Sequence, residues 1–415
     1  MRLSETSDRK TFTEYVEKHP YGHYMKTPMW GEYKAKTEHT SWKMLVYTDD
    51  NGICGTAMAI IGRWMTHKYI YVPWGPCIDY ENADIVKEAF ALLKDYAKQE
   101  GAVFLRTDPN VVRMPHDIHG NVLEGTNHEY VTELLKEAGY RHKGYGYAYD
   151  GSWTNRYTLM VDLSGTMEDV KKRFSAPRRR AINRHELWAV SSRIGDASDL
   201  PVLMEFEKQL SEQDGFKPHS REFFQGLLDA FGDHAVIYVA SVDLDQMLEN
   251  TAKELTSKKY RKDPEARQGV EKTMEKAREL KLRYGSHVDI AAGLFIRFGE
   301  NSWDLYTYNH KDFNFLNSVD AIHALAMEDM QKHGVLHYDM VGFSGVTTKD
   351  DPEYGLYFYK ASFGPEYIER LGQFDYVYNE SRYKRFDLER RGFNKIRRKV
   401  VHTLYAKKKK GEEHE

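Results

Sequence analysis

At 415 residues the chain exceeds what one hydrophobic core organises, so two or three domains are expected. Hydrophobic residues at 41% and aromatics at 13% exclude a disordered protein, and a formal net charge of -3 means that any charged surface must be local. Cys54 and Cys77 show neither zinc spacing nor a redox pair, Met1–Glu5 lacks a signal-peptide core, and no stretch approaches the ~20 apolar residues that span a bilayer. A reduced cytoplasmic setting with no metal or cofactor is expected, with at most peripheral membrane contact.

The first elements are helices, over residues 8–18 and from Thr27-Pro28 through Trp30, Tyr33 and Lys34, because proline suits a first helical turn. Strands follow at Trp42–Thr48, Ile53–Arg63 and Lys68–Val72, then a helix from about Glu81 to Gln99 with Ile85, Ala89, Leu92, Leu93 and Tyr96 inward. After Gly101, the strand Ala102–Arg106 delivers Asp108 at its C-terminal end, where open sheets place ligand contacts, although an aspartate before proline also starts turns. Arg141-His142-Lys143-Gly144-Tyr145-Gly146 matches an Arg-x-x-Gly-x-Gly phosphate loop, but the order here is helix, glycines, strand, and a phosphate loop needs a following helix N-terminus.

Past a strand at Arg156–Leu163, a helix runs into Pro177-Arg178-Arg179-Arg180-Ala181-Ile182-Asn183-Arg184. Its arginines are either a phosphate-binding face or a solvated one. Helices at Leu200–Gln213 and Ser220–Phe231 flank a loop ending at His219, and a strand, Ala235–Val242, follows. Residues 244–284 then carry 11 lysines and arginines and 8 acidic residues, leaving a narrow apolar stripe broken at Lys262-Asp263-Pro264. That pattern predicts an antiparallel helical hairpin projecting from the body, over residues 243–285.

Strands at Ile290–Phe298 and Ser302–Tyr308, a helix from Asn317 to Lys332, and a strand carrying Asp339 repeat the earlier order of strand, turn, strand, helix, glycine, strand, aspartate. The fold class is therefore α/β (α+β), with two lobes of mixed sheets and a cleft between them: residues 1–150, and 151–380 with the arm inserted. The stretch Tyr357-Phe358-Tyr359-Lys360-Ala361-Ser362-Phe363-Gly364 reads as an aromatic strand with one lysine at its centre. A cation there is costly to desolvate unless it faces a cleft, an anion or a carboxylate. Residues 381–410 carry 13 basic and two acidic residues, with Phe393, Ile396, Val400 and Leu404 at helical spacing. This predicts a basic amphipathic helix that completes the first lobe and favours phosphate-rich partners.

The ordered series Trp30-x-x-x-Lys34, Trp74-Gly75-Pro76-Cys77-Ile78-Asp79, Leu105-Arg106-Thr107-Asp108-Pro109, Tyr338-Asp339-x-x-Gly342 and Tyr359-Lys360-x-x-Phe363-Gly364 resembles the FemABX family of tRNA-dependent aminoacyltransferases, which build the interpeptide bridge of peptidoglycan. The resemblance implies two acetyltransferase-like (GNAT) lobes, an aminoacyl-tRNA donor, and as acceptor a muramyl peptide precursor, lipid II or its UDP-linked form. It implies that Lys34 and Tyr306 contact the precursor and that Lys360 occupies an essential lysine position, with His219, Phe223, Arg221 and Tyr359 as further candidates for substrate binding. His219 and Phe223 depart from the family pattern, where arginine and tyrosine are common, and Arg221 lies near enough to substitute.

The chemistry so implied is attack of an amine on an ester, which needs orientation, loss of a proton and positive charge near the oxyanion. Lys360 suits the charge, Asp108 is the candidate base, and Arg178, Arg179 and Arg180 are candidates for tRNA contact. Two other readings are an acyl-CoA-dependent N-acyltransferase and a non-catalytic RNA-binding protein.

Overall fold

The computed structural model describes residues 1–147, 152–390 and 392. The first part of the chain forms β1 (Arg2–Thr6), α1 (Arg9–Lys18), α2 (Pro28–Glu38), β2 (Ser41–Asp49), β3 (Gly52–Trp64), β4 (His67–Val72), α3 (Ala83–Gln99), β5 (Phe104–Thr107), α4 (Glu129–Glu137) and β6 (Arg141–His142). Then come β7 (Tyr157–Asp162), α5 (Met167–Arg173), α6 (Ala176–Asn183), β8 (Val190–Gly195), α7 (Leu200–Asp214), α8 (Arg221–Phe231) and β9 (Ala235–Asp243). The arm is α9 (Leu244–Leu255), α10 (Lys258–Lys262) and α11 (Pro264–Tyr284). The chain continues through β10 (His287–Phe298), β11 (Asn301–Asn309), α12 (Ser318–Lys332), β12 (His337–Gly342), α13 (Tyr354–Ala361), β13 (Glu366–Glu369) and β14 (Phe374–Val377).

Local chemistry sets these boundaries. Thr27 accepts a hydrogen bond from the Trp30 N–H with Pro28 in the first turn of α2, and Asn82 caps α3 through the Asp84 and Ile85 amides. The buried face of α3 is Val86, Ala89, Phe90, Leu93 and Ala97, rotated from the expected one, so that Ile85, Leu92 and Tyr96 lie at its margin. In the arm, the buried residues of α9 are Leu244, Met247 and Thr251, so its inward stripe is narrow. The ion pair from Lys281, near the end of α11, to Asp245, at the start of α9, fixes the two helices antiparallel.

Two seven-stranded mixed sheets run β1-β2-β3-β4-β5-β14-β6 and β8-β9-β10-β11-β12-β7-β13. Each has one parallel pair, β4 with β5 and β11 with β12, joined by a crossover helix. The duplication expected from element order is thus present in the topology. One strand is exchanged: β14 follows β13 yet lies sixth in the first sheet, the position that β7 takes in the second. The expected boundary of the second lobe at residue 380 is corrected accordingly, because residues 374–377 pair with β5 and β6. The exchanged strand is fastened by Arg106, which donates from Nε and Nη2 to the two oxygens of Asp375 at 2.7 Å each, both residues buried.

One face of the first sheet packs on α3 and α4, and one face of the second on α12 and the root of the arm. The opposite faces meet in a shared core: Met58 and Ile60 from one sheet, Leu294 and Ile296 from the other, with Phe12, Tyr24, Leu203 and Phe224 between them. Where a cleft was expected, α1, α2, α7 and α8 fill the space. Of the expected basic tail helix, residues 380–390 are helical, with Tyr383 and Phe386 packed on Val103 and Phe104. Phe393, Ile396, Val400, Leu404 and the terminal lysines lie outside the described residues. Among the described residues, no helix is long and apolar enough to cross a membrane.

Candidate functional site

Lys360 sits in α13, not on a strand. Tyr357 and Lys360, three residues apart, are buried while Phe358 is 62% exposed, which is helical rather than alternating burial. The Nζ atom donates to the carbonyls of Met340 (2.6 Å), Val341 (3.2 Å) and Gly342 (3.0 Å), so all three ammonium protons serve the end of β12. That segment is strained: Val341 has φ +60°, a left-handed conformation unfavourable for a β-branched residue, and its N–H donates to Asp339 Oδ1 at 2.7 Å. Burial lowers the pKa of Lys360, opposed by the negative charges of Asp304, Asp339 and Glu353. Lys360 therefore shapes this end of β12 and places a positive charge there.

The surroundings of Lys360 follow from how β11 and β12 part. Their parallel pairing covers Asn301–Trp303 against His337–Asp339. Immediately beyond, β11 carries an extra residue, Leu305, between the pairs Asp304↔Phe295 and Tyr306↔Leu294. The bulge turns Asp304 toward α12 and Tyr306 toward the opposite face. Asp304 Oδ1 accepts from Thr307 Oγ1 at 2.5 Å, Oδ2 lies 3.9 Å from His323 Nε2, and burial pushes the carboxyl up to about 6. His323 bonds Tyr338 Oη through Nδ1 at 2.7 Å, and burial, then the charges of Lys360 and Arg178, hold it down to about 3, keeping the ring neutral.

Arg370 joins this region to the first lobe. It donates from Nη2 to Asp339 Oδ2 (3.3 Å) and from Nε to Asn110 Oδ1 (3.0 Å), with its guanidinium 4.8 Å over the Trp74 ring. Asp108 lies behind Trp74. Its Oδ1 accepts from the Trp74 N–H (2.7 Å) and its Oδ2 from Tyr71 Oη (2.9 Å) and Thr154 Oγ1 (2.5 Å). Burial pushes its pKa up to about 6 against these three donors. Asp108 is thus an anchor that holds Trp74 in a left-handed conformation at φ +57°.

A second constellation forms where α2 packs on α8. The His219 ring stacks on Phe223 at 4.1 Å and meets Tyr306 edge-on at 5.3 Å, while Tyr33 reaches Phe223 at 5.9 Å. Fully buried Glu207 orients His219 by accepting from its backbone N–H (3.0 Å) and pairing with Nδ1 (2.5 Å), and it also accepts from Tyr308 Oη (3.2 Å). Lys34 lies over the Trp30 ring at 5.5 Å and pairs with Glu38. The structure therefore brings His219, Phe223 and Tyr306 together, with Lys34 on the neighbouring helix and Arg221 exposed at the start of α8.

The arginine run divides. Arg178 turns inward, pairs with Asp320, donates to Ser362 Oγ at 2.8 Å and lies 4.4 Å over the Tyr359 ring. Tyr359 in turn donates to Asp320 Oδ1 at 3.1 Å. Arg178 and Tyr359 thus support α13 from behind, correcting the expectation of a common basic face. Arg179 donates to the carbonyls of Lys172 and Phe174, while Arg180 is exposed. Sequence reasoning missed Asp304, His323 and Arg370. The available signal was a charge inside an otherwise apolar strand, Trp303-Asp304-Leu305-Tyr306, the same signal that singled out Lys360.

The FemAB family model matches residues 7–390. The aminoacyltransferase FemA of Staphylococcus epidermidis is 24% identical over 403 residues, 90% of this chain and 95% of that protein. FemA of Staphylococcus aureus is 24% identical over 394 residues, 88% of this chain and 93% of that protein. Among solved structures, one described as the crystal structure of FemX has a TM-score of 0.76 at 20% identity, covering 92% of this chain and 99% of that one, which shows a common fold. With the family match running through both lobes, the arm and the start of the terminal helix, this protein belongs to the FemAB family.

Proposed function

We propose that this chain transfers an aminoacyl group from aminoacyl-tRNA to an amine on the stem peptide of a muramyl peptide precursor, in interpeptide bridge synthesis. The observation that carries the reading is Lys360: a buried ammonium fixed at the point where β11 and β12 separate, next to two carboxylates and linked through Asp339 and Arg370 to the first lobe. Family membership and the aminoacyltransferase names of the relatives give that charge its reaction.

An aminoacyl ester is already activated, so attack by the amine needs no covalent enzyme intermediate. The protein's contribution is orientation and a fixed positive potential for the developing oxyanion. Lys360 supplies the potential and holds residues 340–342 in shape. Lys34, His219, Phe223 and Tyr306 form the precursor-binding face, with Arg221 at its edge. Exposed Arg179 and Arg180 meet tRNA phosphates, and the basic tail brings the protein to the inner membrane surface when the acceptor is lipid-linked. The test incubates the protein with pooled charged tRNAs and either lipid II or the UDP-linked precursor. A product heavier by one aminoacyl residue supports the reading, and an unchanged acceptor in both arms overturns it. Thermal stabilisation by CoA, together with an unchanged acceptor, would favour the acyl-CoA alternative.

A further inference from the structure

A stem-peptide amine is an ammonium at neutral pH and must lose a proton before it attacks an ester carbonyl. Two carboxylates at strand ends are candidates to take it, Asp108 just beyond β5 in the first lobe and Asp304 in β11 of the second. Asp108 has both oxygens occupied, by one backbone amide and two hydroxyls, behind the Trp74 loop. Asp304 is different. Its Oδ1 is held by Thr307, while Oδ2 receives no hydrogen bond among the described residues and faces His323 Nε2 at 3.9 Å, beyond hydrogen-bonding distance. It sits where the β11–β12 pairing ends, on the side of the bulge that faces Lys360.

From this bare carboxylate oxygen at the strand separation we infer that Asp304 is the proton acceptor for the attacking amine, an assignment that rests on aminoacyl transfer being the reaction. Asp304 Oδ2 takes one proton from the acceptor ammonium. The freed amine forms a bond to the ester carbonyl carbon, and the bond from that carbon to the ribose oxygen breaks. The ribose oxygen takes the second proton from nitrogen, leaving an amide, and Asp304 releases the first to solvent. Neither an oxidant nor a co-reactant is required.

The groups facing Asp304 set its readiness. Lys360 and Tyr359 come from α13, Asp339 and Tyr338 from β12, His323 from α12, and Thr307 and Tyr308 from its own strand. Burial raises the Asp304 pKa to about 6, Thr307 and Lys360 oppose it, and Asp339 adds to it. His323 stays neutral throughout. Asp304 is therefore ionised and basic just below neutral pH, which suits a general base.

The experiment compares wild type, Asp304→Asn, Asp304→Glu and Asp108→Asn in transfer from pooled charged tRNAs to lipid II and to the UDP-linked precursor, between pH 5 and 9. Wild type should lose kcat as pH falls through about 6. Asp304→Asn should lose about 100-fold in kcat at pH 8 with KM little changed, and should lack that acid limb. Asp304→Glu should restore part of the rate and the limb, and Asp108→Asn should keep the limb whatever its absolute rate. Thermal denaturation at each pH shows whether each variant is folded. Wild-type rate and limb in a folded Asp304→Asn overturn the assignment, as does loss of the limb in Asp108→Asn. If Asp304→Asn does not fold, Asp304→Glu decides: a limb unmoved from wild type overturns the assignment, and a displaced limb supports it. Absence of transfer by wild type overturns the proposed reaction itself, and the assignment with it.

Discussion

Replacing Lys360 by Met preserves the length of the side chain and removes its charge. Three carbonyls, those of Met340, Val341 and Gly342, then lose their donor in a site from which water is largely excluded. A buried acceptor left unpaired costs ~1–3 kcal/mol, and removing one partner of a buried charged contact ~3–5 kcal/mol. The desolvation that lowers the Lys360 pKa is relieved at the same time, and Val341 is free to leave its strained conformation. The net expectation is a loss of ~2–4 kcal/mol in stability, read by urea denaturation. In transfer assays on the folded variant, kcat should fall by ~100-fold or more, because the fixed positive potential and the shape of residues 340–342 are lost together. Lys360→Arg separates charge from geometry: a planar guanidinium cannot direct three protons from one nitrogen at three carbonyls, so it should remain destabilised and slow despite its charge. Wild-type stability and rate in Lys360→Met would refute the reasoning.

Asp375→Asn breaks the buried pair that fastens the exchanged strand and should cost ~3–5 kcal/mol in urea denaturation. Burial works against the charge of Asp375, but Arg106, Lys143 and Tyr383 outweigh it and hold its pKa below the ordinary 3.8. The pair's contribution is therefore present above pH 3.8 and is lost as pH falls through the lower folded value, so the gap between wild type and variant should close in acid. Phe223→Ala removes the ring between His219, Tyr33 and Tyr306 and should raise KM for the precursor ~10-fold or more with kcat less affected, consistent with uniform binding; a kcat effect without a KM effect would contradict a binding role.

The order of elements, the arm and the repeated lobe plan were legible because each rests on local periodicity and capping. The return of β14 to the first sheet was not, since pairing 374–377 with residues 104–107 is a long-range choice that no local pattern encodes. β1 and β8 are edge strands whose residues are mostly exposed, so no alternation of buried apolar positions marks them. The Lys360 segment was misread for a definite reason. Its dense aromatics satisfy both a period of two and one of 3.6, and only the burial of Tyr357 with Lys360 decides for a helix. Among the site residues, His219, Phe223 and Tyr306 come from α8, the loop before it and β11, and only the folded chain brings their rings into contact. Arg178 could not be assigned from sequence, because its inward turn depends on Asp320 and Ser362, far along the chain.

The central claim is that an ester-linked aminoacyl group becomes an amide on a muramyl peptide. The most direct measurement follows a radiolabelled aminoacyl group from tRNA in the presence of the protein and lipid II, then treats the products with mild base, which cleaves esters and spares amides. Label should move into a base-stable product that runs with the precursor, at a rate that collapses in Lys360→Met. Label that stays base-labile, or leaves only as free amino acid, would contradict the account.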